Sequence, residues 1–556
     1  MEEFNLVDLL DFDHLPLKNR VDLAGYYAPK PRISSLIPEE PLKEGEQYRF
    51  HFDMTRCVGC QCCVVACNEQ NNNPASVNWR RVGEIEGGEY PLTKRFHLSM
   101  ACNHCLDPAC LTGCPTEAYV KIEKTGVVVH REDECIGCGY CTWNCPYSVP
   151  QFNPERNIVT KCDMCHHRLE GNLEPACVAA CPEQAIRIEK VSIAEWRENH
   201  GEADAPYVPE SGITLSTTRI TLPADVPANM LRANRHRVEP EKPHTPLIFM
   251  TVLTQLAAGG FLTLWLADLF SHLFDFLKPF RDFLVFGAWG MLVVTGLALF
   301  ASVFHLGRPL HAYKALRMWR RSWLSREVLL FGLFSLSGAV FAVFLLGNYF
   351  LGLRPAPWVS LIFGGIVSFL GMAGVFASAK IYLVPARPAW NTVRTPLRFF
   401  LTGFILGPVF ALLVYSLYGM VEPSMKISGL PAGPIAALLA VSSTAAFVQF
   451  LVLLARLIYL LEAPVPELYD STLLLTRRFK NHFLARFVLL VAGNFVFPFW
   501  IFAAWHETRE SAGVVAVLTA ACFVLSLLGE LLGRYLFFVT VVPKNIPGSF
   551  FAGDKR

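Results

Sequence analysis

The chain is short of three things. Net charge is nearly absent: 49 lysines and arginines stand against 47 aspartates and glutamates over 556 residues, a formal +2. So even a balance gives no reason to expect nucleic-acid binding. The first residues, MEEFNLVDLLDFDHLPLKNR, carry acids early and no continuous apolar core. Neither a secretory signal nor a twin-arginine leader is read there, so the chain is expected to begin in the cytoplasm, where a disulfide framework has no place. Histidine, finally, is missing from the middle of the apolar stretches that follow residue 244. His244, His272, His311, His482 and His506 all fall at ends or in loops. A b-type haem between helices needs axial ligands at matched depths, so no haem is expected.

What is plentiful is cysteine. Sixteen of the 18 fall into four quartets between residues 57 and 181. The first is Cys57, Cys60, Cys63 and Cys67. The second is Cys102, Cys105, Cys110 and Cys114, followed by Pro115. The third is Cys135, Cys138, Cys141 and Cys145, followed by Pro146. The fourth is Cys162, Cys165, Cys177 and Cys181, followed by Pro182. Thiolates two residues apart converge on one iron-sulfur cluster because a short loop folds back around it, and the fourth cysteine is expected to start a helix pointing elsewhere. In two-cluster ferredoxins that fourth cysteine serves the other cluster, so four quartets imply two interleaved pairs and four [4Fe-4S] centres. Structural zinc has no need of the third cysteine and the Cys-Pro step. Cys62 reads as a spare thiol packed beside the first cluster, and Cys522, in an apolar segment, as core.

Composition divides the chain. Residues 1–50, with several prolines and mixed charge, read either as an extended arm that packs on a partner or on the cluster domain, or as a poorly ordered tail. Residues 51–190 read as an α/β ferredoxin-like domain stapled by its clusters, with short β-like runs such as Gly126 to His130 and Ala185 to Glu189. Residues 191–244 turn polar, contain one β-like run from Gly212 to Leu222, and read as a linker and cap against the membrane face. Residues 245–540 read as an all-α membrane anchor, and 541–556 as a cytoplasmic tail.

A helix needs about 20 apolar residues to cross a hydrocarbon core of roughly 30 Å. Eight segments pass, near 246–269, 283–306, 326–349, 357–384, 397–420, 432–461, 483–505 and 512–538. The flanks on the side of the first segment's start, including Arg308, Lys314, Arg387, Arg477 and Lys544, carry twenty-three lysines and arginines, against five on the other side: Lys278, Arg281, Arg354, Lys426 and Arg509. Positive charge stays inside, which puts the cluster domain and both termini in the cytoplasm.

His305 closes the second segment and Glu327 opens the third, at the two ends of one basic loop. A quinone headgroup needs a hydrogen-bond partner and a route for protons, and a histidine with a carboxylate supplies both. Equally, His305 can cap a helix C-terminus and Glu327 lie in a first turn, each favoured by the helix dipole. The residues alone leave both readings open.

The segments RCVGCQCCVVACNEQNN, CNHCLDPACLTGCP, ECIGCGYCTWNCPYSVPQFNP and KCDMCHHRLEGNLEPACVAACP resemble the four-cluster iron-sulfur subunit of dimethyl sulfoxide reductase and its relatives, over about 50–190. PLIFMTVLTQLAAGGF, ASVFHLGRPLHAYKAL, TPLRFFLTGFILGP and GELLGRYLFF are similar to that family's anchor subunit, over about 246–538. The resemblance implies eight helices, no haem, and a quinol site using the histidine of the HLG motif and a glutamate opening the next helix, matched by His305 and Glu327. It also implies nested ligation. Cys57, Cys60 and Cys63 would join Cys181; Cys162, Cys165 and Cys177 would join Cys67. Cys102, Cys105 and Cys110 would join Cys145, and Cys135, Cys138 and Cys141 would join Cys114.

In that family the molybdopterin-containing catalytic subunit is a separate large protein, and carrier and anchor are usually separate chains, whereas here they are fused. The expected function is to link a cytoplasmic catalytic partner, of the sulfite dehydrogenase or S/N-oxide reductase kind, to membrane quinone. Membrane lipid and quinone are the other expected partners. The rivals are a polysulfide-reductase-type anchor, which the HLG and GELLGR motifs fit poorly, an ion translocator, for which Asp268 and Glu530 form no chain of acids, and a purely structural anchor.

Overall fold

The computed structural model describes residues 32–91, 93–233, 238–274, 280–352, 356–421, 432–462, 465–507 and 512–546. Most of the N-terminal extension, the tail from 547 and the positions of Arg235, Arg237, Lys278, Arg354, Lys426 and Arg509 lie outside the described residues, as do the side chains of Arg281 and His506.

The cluster domain is a pair of small sheets and a pair of hairpins joined by cysteine loops. Strand β1 (Glu46–Asp53) pairs antiparallel with Ile186–Ser192, setting Phe50 opposite Ile188 and Phe52 opposite Ile186, and pairs parallel with Arg219–Thr221. Phe50, Phe52, Ile186 and Ile188 are buried together, each worth roughly 1.5–3 kcal/mol. A second sheet joins Arg81–Gly87 to Lys94–Met100 on one side and to Leu231–Arg232 on the other. The hairpins are Tyr119–Lys121 with Val128–His130, and Gln151–Asn153 with Ile158–Thr160.

The helices beside the clusters end at the fourth cysteine instead of starting there. Ala109–Gly113 stops at Cys114 and Tyr140–Asn144 stops at Cys145, both of which are extended. The cause is the next residue: Pro115 and Pro146 clash with a helical conformation at the residue before them. Cys67, which no proline follows, lies inside its helix, Cys62–Gln70.

The run from Gly212 to Leu222 becomes a short helical turn, Ser211–Ile213, and a three-residue strand, Arg219–Thr221. Between them Thr217 donates to the carbonyl of Asn103 at 2.6 Å and Thr218 to its side chain at 2.9 Å. Side-chain bonds to a neighbouring loop replace ladder bonds here.

Among the described residues eight helices are long and apolar enough to cross a membrane: Thr245–Leu273, Phe283–Val303, Trp323–Leu351, Pro357–Ile381, Arg394–Met420, Ile435–Ile458, Lys480–Trp505 and Gly513–Val539. The first, at 29 residues, is about 43 Å long at 1.5 Å per residue. It meets the fifth backbone to backbone, since a Cβ on Gly259 would overlap the carbonyl of Gly403 and one on Gly407 the backbone of Gly259. Small residues permit such an approach where lipid gives no hydrophobic push between helices. The seventh is interrupted by a π turn at Ala492–Val496, where the side-chain amide of Asn494 donates to the Leu490 carbonyl at 3.1 Å and its oxygen accepts from Ser442.

Candidate functional site: cluster loops and the anchor surface

The cysteine loops bring the quartets together in crossed sets. Cys57, Cys60, Cys63 and Cys181 line one cavity, and Cys102, Cys105, Cys110 and Cys145 line another. Cys135, Cys138 and Cys141 lie around Cys114, while Cys67 lies within the field of Cys165 and Cys177, with Cys162 beside it. Burial pushes the thiols of Cys57, Cys67, Cys105 and Cys138 up to about 12. Thiols this reluctant to ionise make a poor site on their own and a good one for a positively charged iron-sulfide core, whose binding would deprotonate them.

Backbone and hydroxyl donors are already aimed at the sulfurs. Gly137 N–H lies 3.4 Å from Cys135 Sγ, Ala118 N–H 3.4 Å from Cys114 Sγ, Ala185 N–H 3.2 Å from Cys181 Sγ, and Thr214 Oγ1 3.2 Å from Cys105 Sγ. Two cations are buried among the cysteines. Arg80, only 2 % exposed, is within the field of Cys177, Cys63, Cys162 and Cys67, and its Nε and Nη2 have no protein partner among the described residues. Lys161 bonds the carbonyls of Val128 and Cys162 and lies within reach of Cys102 and Cys110 as well. These desolvated positive groups, neither paired with a carboxylate among the described residues, suit anionic clusters.

Cys62 is exposed beside Cys60, turned to solvent and not packed inward as expected. Its place at the first residue of a short helix turns its side chain away from the core. Cys522 is buried, with its thiol 2.9 Å from the carbonyl of Gly493.

The Cys135–Cys141 loop rests on the anchor. The segment after the second span wraps it: Arg308 N–H donates to the Ile136 carbonyl at 3.0 Å, Arg308 Nη1 to Glu132 O at 2.8 Å, and Lys314 Nζ to Asp133 O at 2.9 Å. Lys314 and Arg317 both pair with Glu134, at 3.0 and 2.5 Å, and hold its carboxyl below the usual carboxylate range. Ser322 Oγ donates to Gly113 O at 2.7 Å. Gly307 comes so close to Asn157 and Gly137 that a Cβ there would overlap the Asn157 carbonyl.

His305 lies beyond the end of its helix at Val303. Its Nε2 is 2.9 Å from the Cys138 carbonyl. A carbonyl only accepts, so Nε2 carries the proton and Nδ1 is left as an acceptor. Burial, and then the neighbouring His244, lower its pKa to about 4, which keeps the ring neutral at pH 7. Glu327 is the fifth residue of the helix Trp323–Leu351 and does not open it. It is buried, 4 % exposed, and its charge reaches Tyr140 and Tyr382. Among the described residues His305 and Glu327 make no hydrogen bond to each other.

Trp143 packs between His305 and Tyr382, the tyrosine that the charge of Glu327 reaches, and sequence reasoning missed it. It sits between Cys141 and Cys145 and inserts into the anchor, with ring centroids 6.4 Å from His305, 5.2 Å from His244, 5.7 Å from Tyr382 and 5.4 Å from Trp390. The available signal was a large apolar ring inside a cysteine loop, where a small domain has little core to bury it.

Residues 93–191 match the 4Fe-4S dicluster domain family, and residues 241–539 match the family described as DMSO reductase anchor subunit (DmsC). This protein belongs to the DMSO reductase anchor family, fused to an iron-sulfur subunit. One similar protein, a component of the anaerobic dimethyl sulfoxide reductase of Haemophilus influenzae, is 38 % identical over 179 residues, which is 30 % of this chain and 86 % of the relative. Its counterpart from the anaerobic dimethyl sulfoxide reductase of Escherichia coli K12 is 40 % identical over 167 residues, covering 29 % and 80 %. A component of the sulfite dehydrogenase of Allochromatium vinosum is 35 % identical over 160 residues, covering 25 % and 67 %. This DMSO reductase-like protein is thus an electron-transfer subunit with iron-sulfur clusters of the 4Fe-4S type and a multi-pass membrane anchor in one polypeptide.

Proposed function

We propose that the chain carries electrons between a separate molybdopterin-containing catalytic subunit and a membrane quinone. Its ligand sets are four: Cys57, Cys60, Cys63 with Cys181; Cys162, Cys165, Cys177 with Cys67; Cys102, Cys105, Cys110 with Cys145; and Cys135, Cys138, Cys141 with Cys114. Bound there, four [4Fe-4S] clusters supply one-electron carriers. The cluster domain and both termini face the cytoplasm, a reading supported by the lysine and arginine bias of the flanks, and the partner is of the sulfite dehydrogenase or S/N-oxide reductase kind.

The observation that carries this reading is the contact of His305 with the loop of Cys138. In this role neutral His305 offers its Nδ1 to a headgroup hydroxyl while Nε2–H remains on the Cys138 carbonyl, and Glu327, beside Tyr140 and Tyr382, holds the second proton. Trp143 and Trp390 keep water from the site.

Anaerobically purified complex is expected to contain sixteen irons per chain, and H305A to keep that iron while losing quinol-analogue binding and quinone-linked turnover. Unchanged analogue binding in H305A removes the quinone assignment. Zinc, or far fewer irons, removes the cluster assignment.

A further inference from the structure

We propose that the anchor binds the phosphate of an anionic phospholipid in a basic crevice on the bundle face nearest the cluster domain. The crevice lies between the start of the fifth span and the end of the sixth and is lined by Thr392, Arg394, Thr395, Arg398 and Arg456, with no acidic residue among the described lining.

Two of its arginines are almost removed from solvent and have no carboxylate partner among the described residues. Arg398 is 8 % exposed and Arg456 7 %. Arg456 Nη2 reaches only a neutral group, Thr540 Oγ1 at 3.3 Å, and its Nε has no partner. The guanidinium of Arg398 lies 5.5 Å from the centroid of the Phe537 ring, and Arg456 is within its field. Glu530, whose field reaches Arg398, makes no ion pair with it: it accepts from Thr402 at 2.5 Å and from Gln449, and Arg486 stands 4.0 Å from it.

Two unneutralised guanidinium groups facing one crevice at the membrane boundary repel each other and have lost much of their hydration, so an anion bound between them is stabilised. The planar fork of arginine matches a phosphate oxygen pair, and basic pockets between spans take lipid head groups. Inward from the charged end the sixth span exposes Leu454, Leu451 and Phe447, which gives acyl chains a surface below the crevice. A free phosphate has no use for that second part, whereas a lipid needs both.

The test uses the intact complex in mild detergent, stripped of bound lipid and titrated separately with phosphatidylglycerol, phosphatidylcholine and inorganic phosphate while its melting temperature is followed. Phosphatidylglycerol is expected to raise the melting temperature, phosphatidylcholine to leave it, and the R398Q/R456Q double variant to need at least tenfold more phosphatidylglycerol for the same rise. An equal response in the double variant, an equal response to phosphatidylcholine, or a full response to inorganic phosphate overturns the proposal. If the double variant does not assemble, native mass spectrometry of the unmodified complex decides: retained anionic phospholipid supports the site, and retention in proportion to the surrounding membrane removes it. Iron content is the control that separates this result from failure of the clusters.

Discussion

His305 Nε2 lies 2.9 Å from the carbonyl oxygen of Cys138, so a side chain of the anchor holds the backbone of a cluster loop directly. Nothing but that hydrogen bond separates the two halves of the proposed electron path at this point. Replacing His305 by alanine removes one bond to a buried carbonyl and is expected to cost about 1 kcal/mol of docking stability. Its effect on quinol oxidation is expected to be far larger, at least tenfold in rate, measured in membrane vesicles with a soluble acceptor.

Trp143 fills a socket made of His244, His305, Tyr382, Trp390 and Phe538. W143A leaves that socket empty and is expected to destabilise the docked domain by about 3–5 kcal/mol. Faster proteolytic release of the cluster domain from the membrane, with iron retained on the released piece, is the expected readout.

Gly307 tolerates no side chain where it meets Asn157, whereas Gly296 in the same region has nothing within 4 Å of an added Cβ. G307A is therefore expected to loosen the domain in the same proteolysis assay, and G296A to be neutral or stabilising by up to about 1 kcal/mol.

Arg80 places one buried positive charge beside Cys63 and Cys177. A cation in low dielectric favours the more negative, reduced state of a neighbouring cluster. R80Q is expected to lower the reduction potentials of the clusters held through Cys63 and Cys177 and to leave the pair at Cys105 and Cys138 nearly unchanged. Redox titration followed by electron paramagnetic resonance resolves the two groups.

Half-buried His244 packs against Trp143, and desolvation, then Arg387 and Lys242, lower its pKa to about 4. The free ring titrates near pH 6.5, so the undocked state binds a proton that the docked state refuses. Docking is expected to be unaffected above about pH 6.5 and to weaken as the pH falls from there towards 4. H244F is expected to reduce that slope in a pH series of melting temperatures, the remainder coming from His305, which is shifted the same way.

The division into a cysteine-rich domain and eight spans was legible because both signals are local: thiol spacing, and uninterrupted apolar length. The three-residue steps within each quartet also marked the loops that bring the cysteines together. Trp143 and His244 were not legible in their roles, since their partners come from four different helices and loops and no local period points to them. Glu327 read as opening a helix because the apolar run begins there, but Ser322 bonds to Gly113 and lets the helix start four residues earlier, at Trp323. Cys-Pro steps were visible too, and what they do is end a helix at the cysteine.

The wrapping of the Glu132–Cys138 loop by Arg308, Lys314 and Arg317 has a consequence for the fusion itself. Those contacts hold the carrier on its anchor independently of the peptide connection, which adds a high local concentration and its own pairing of Glu241 with Arg387 at 3.4 Å. Two separately translated pieces, divided between residues 238 and 244, would find each other and copurify. The single gene product is a two-subunit assembly whose stoichiometry has been made permanent.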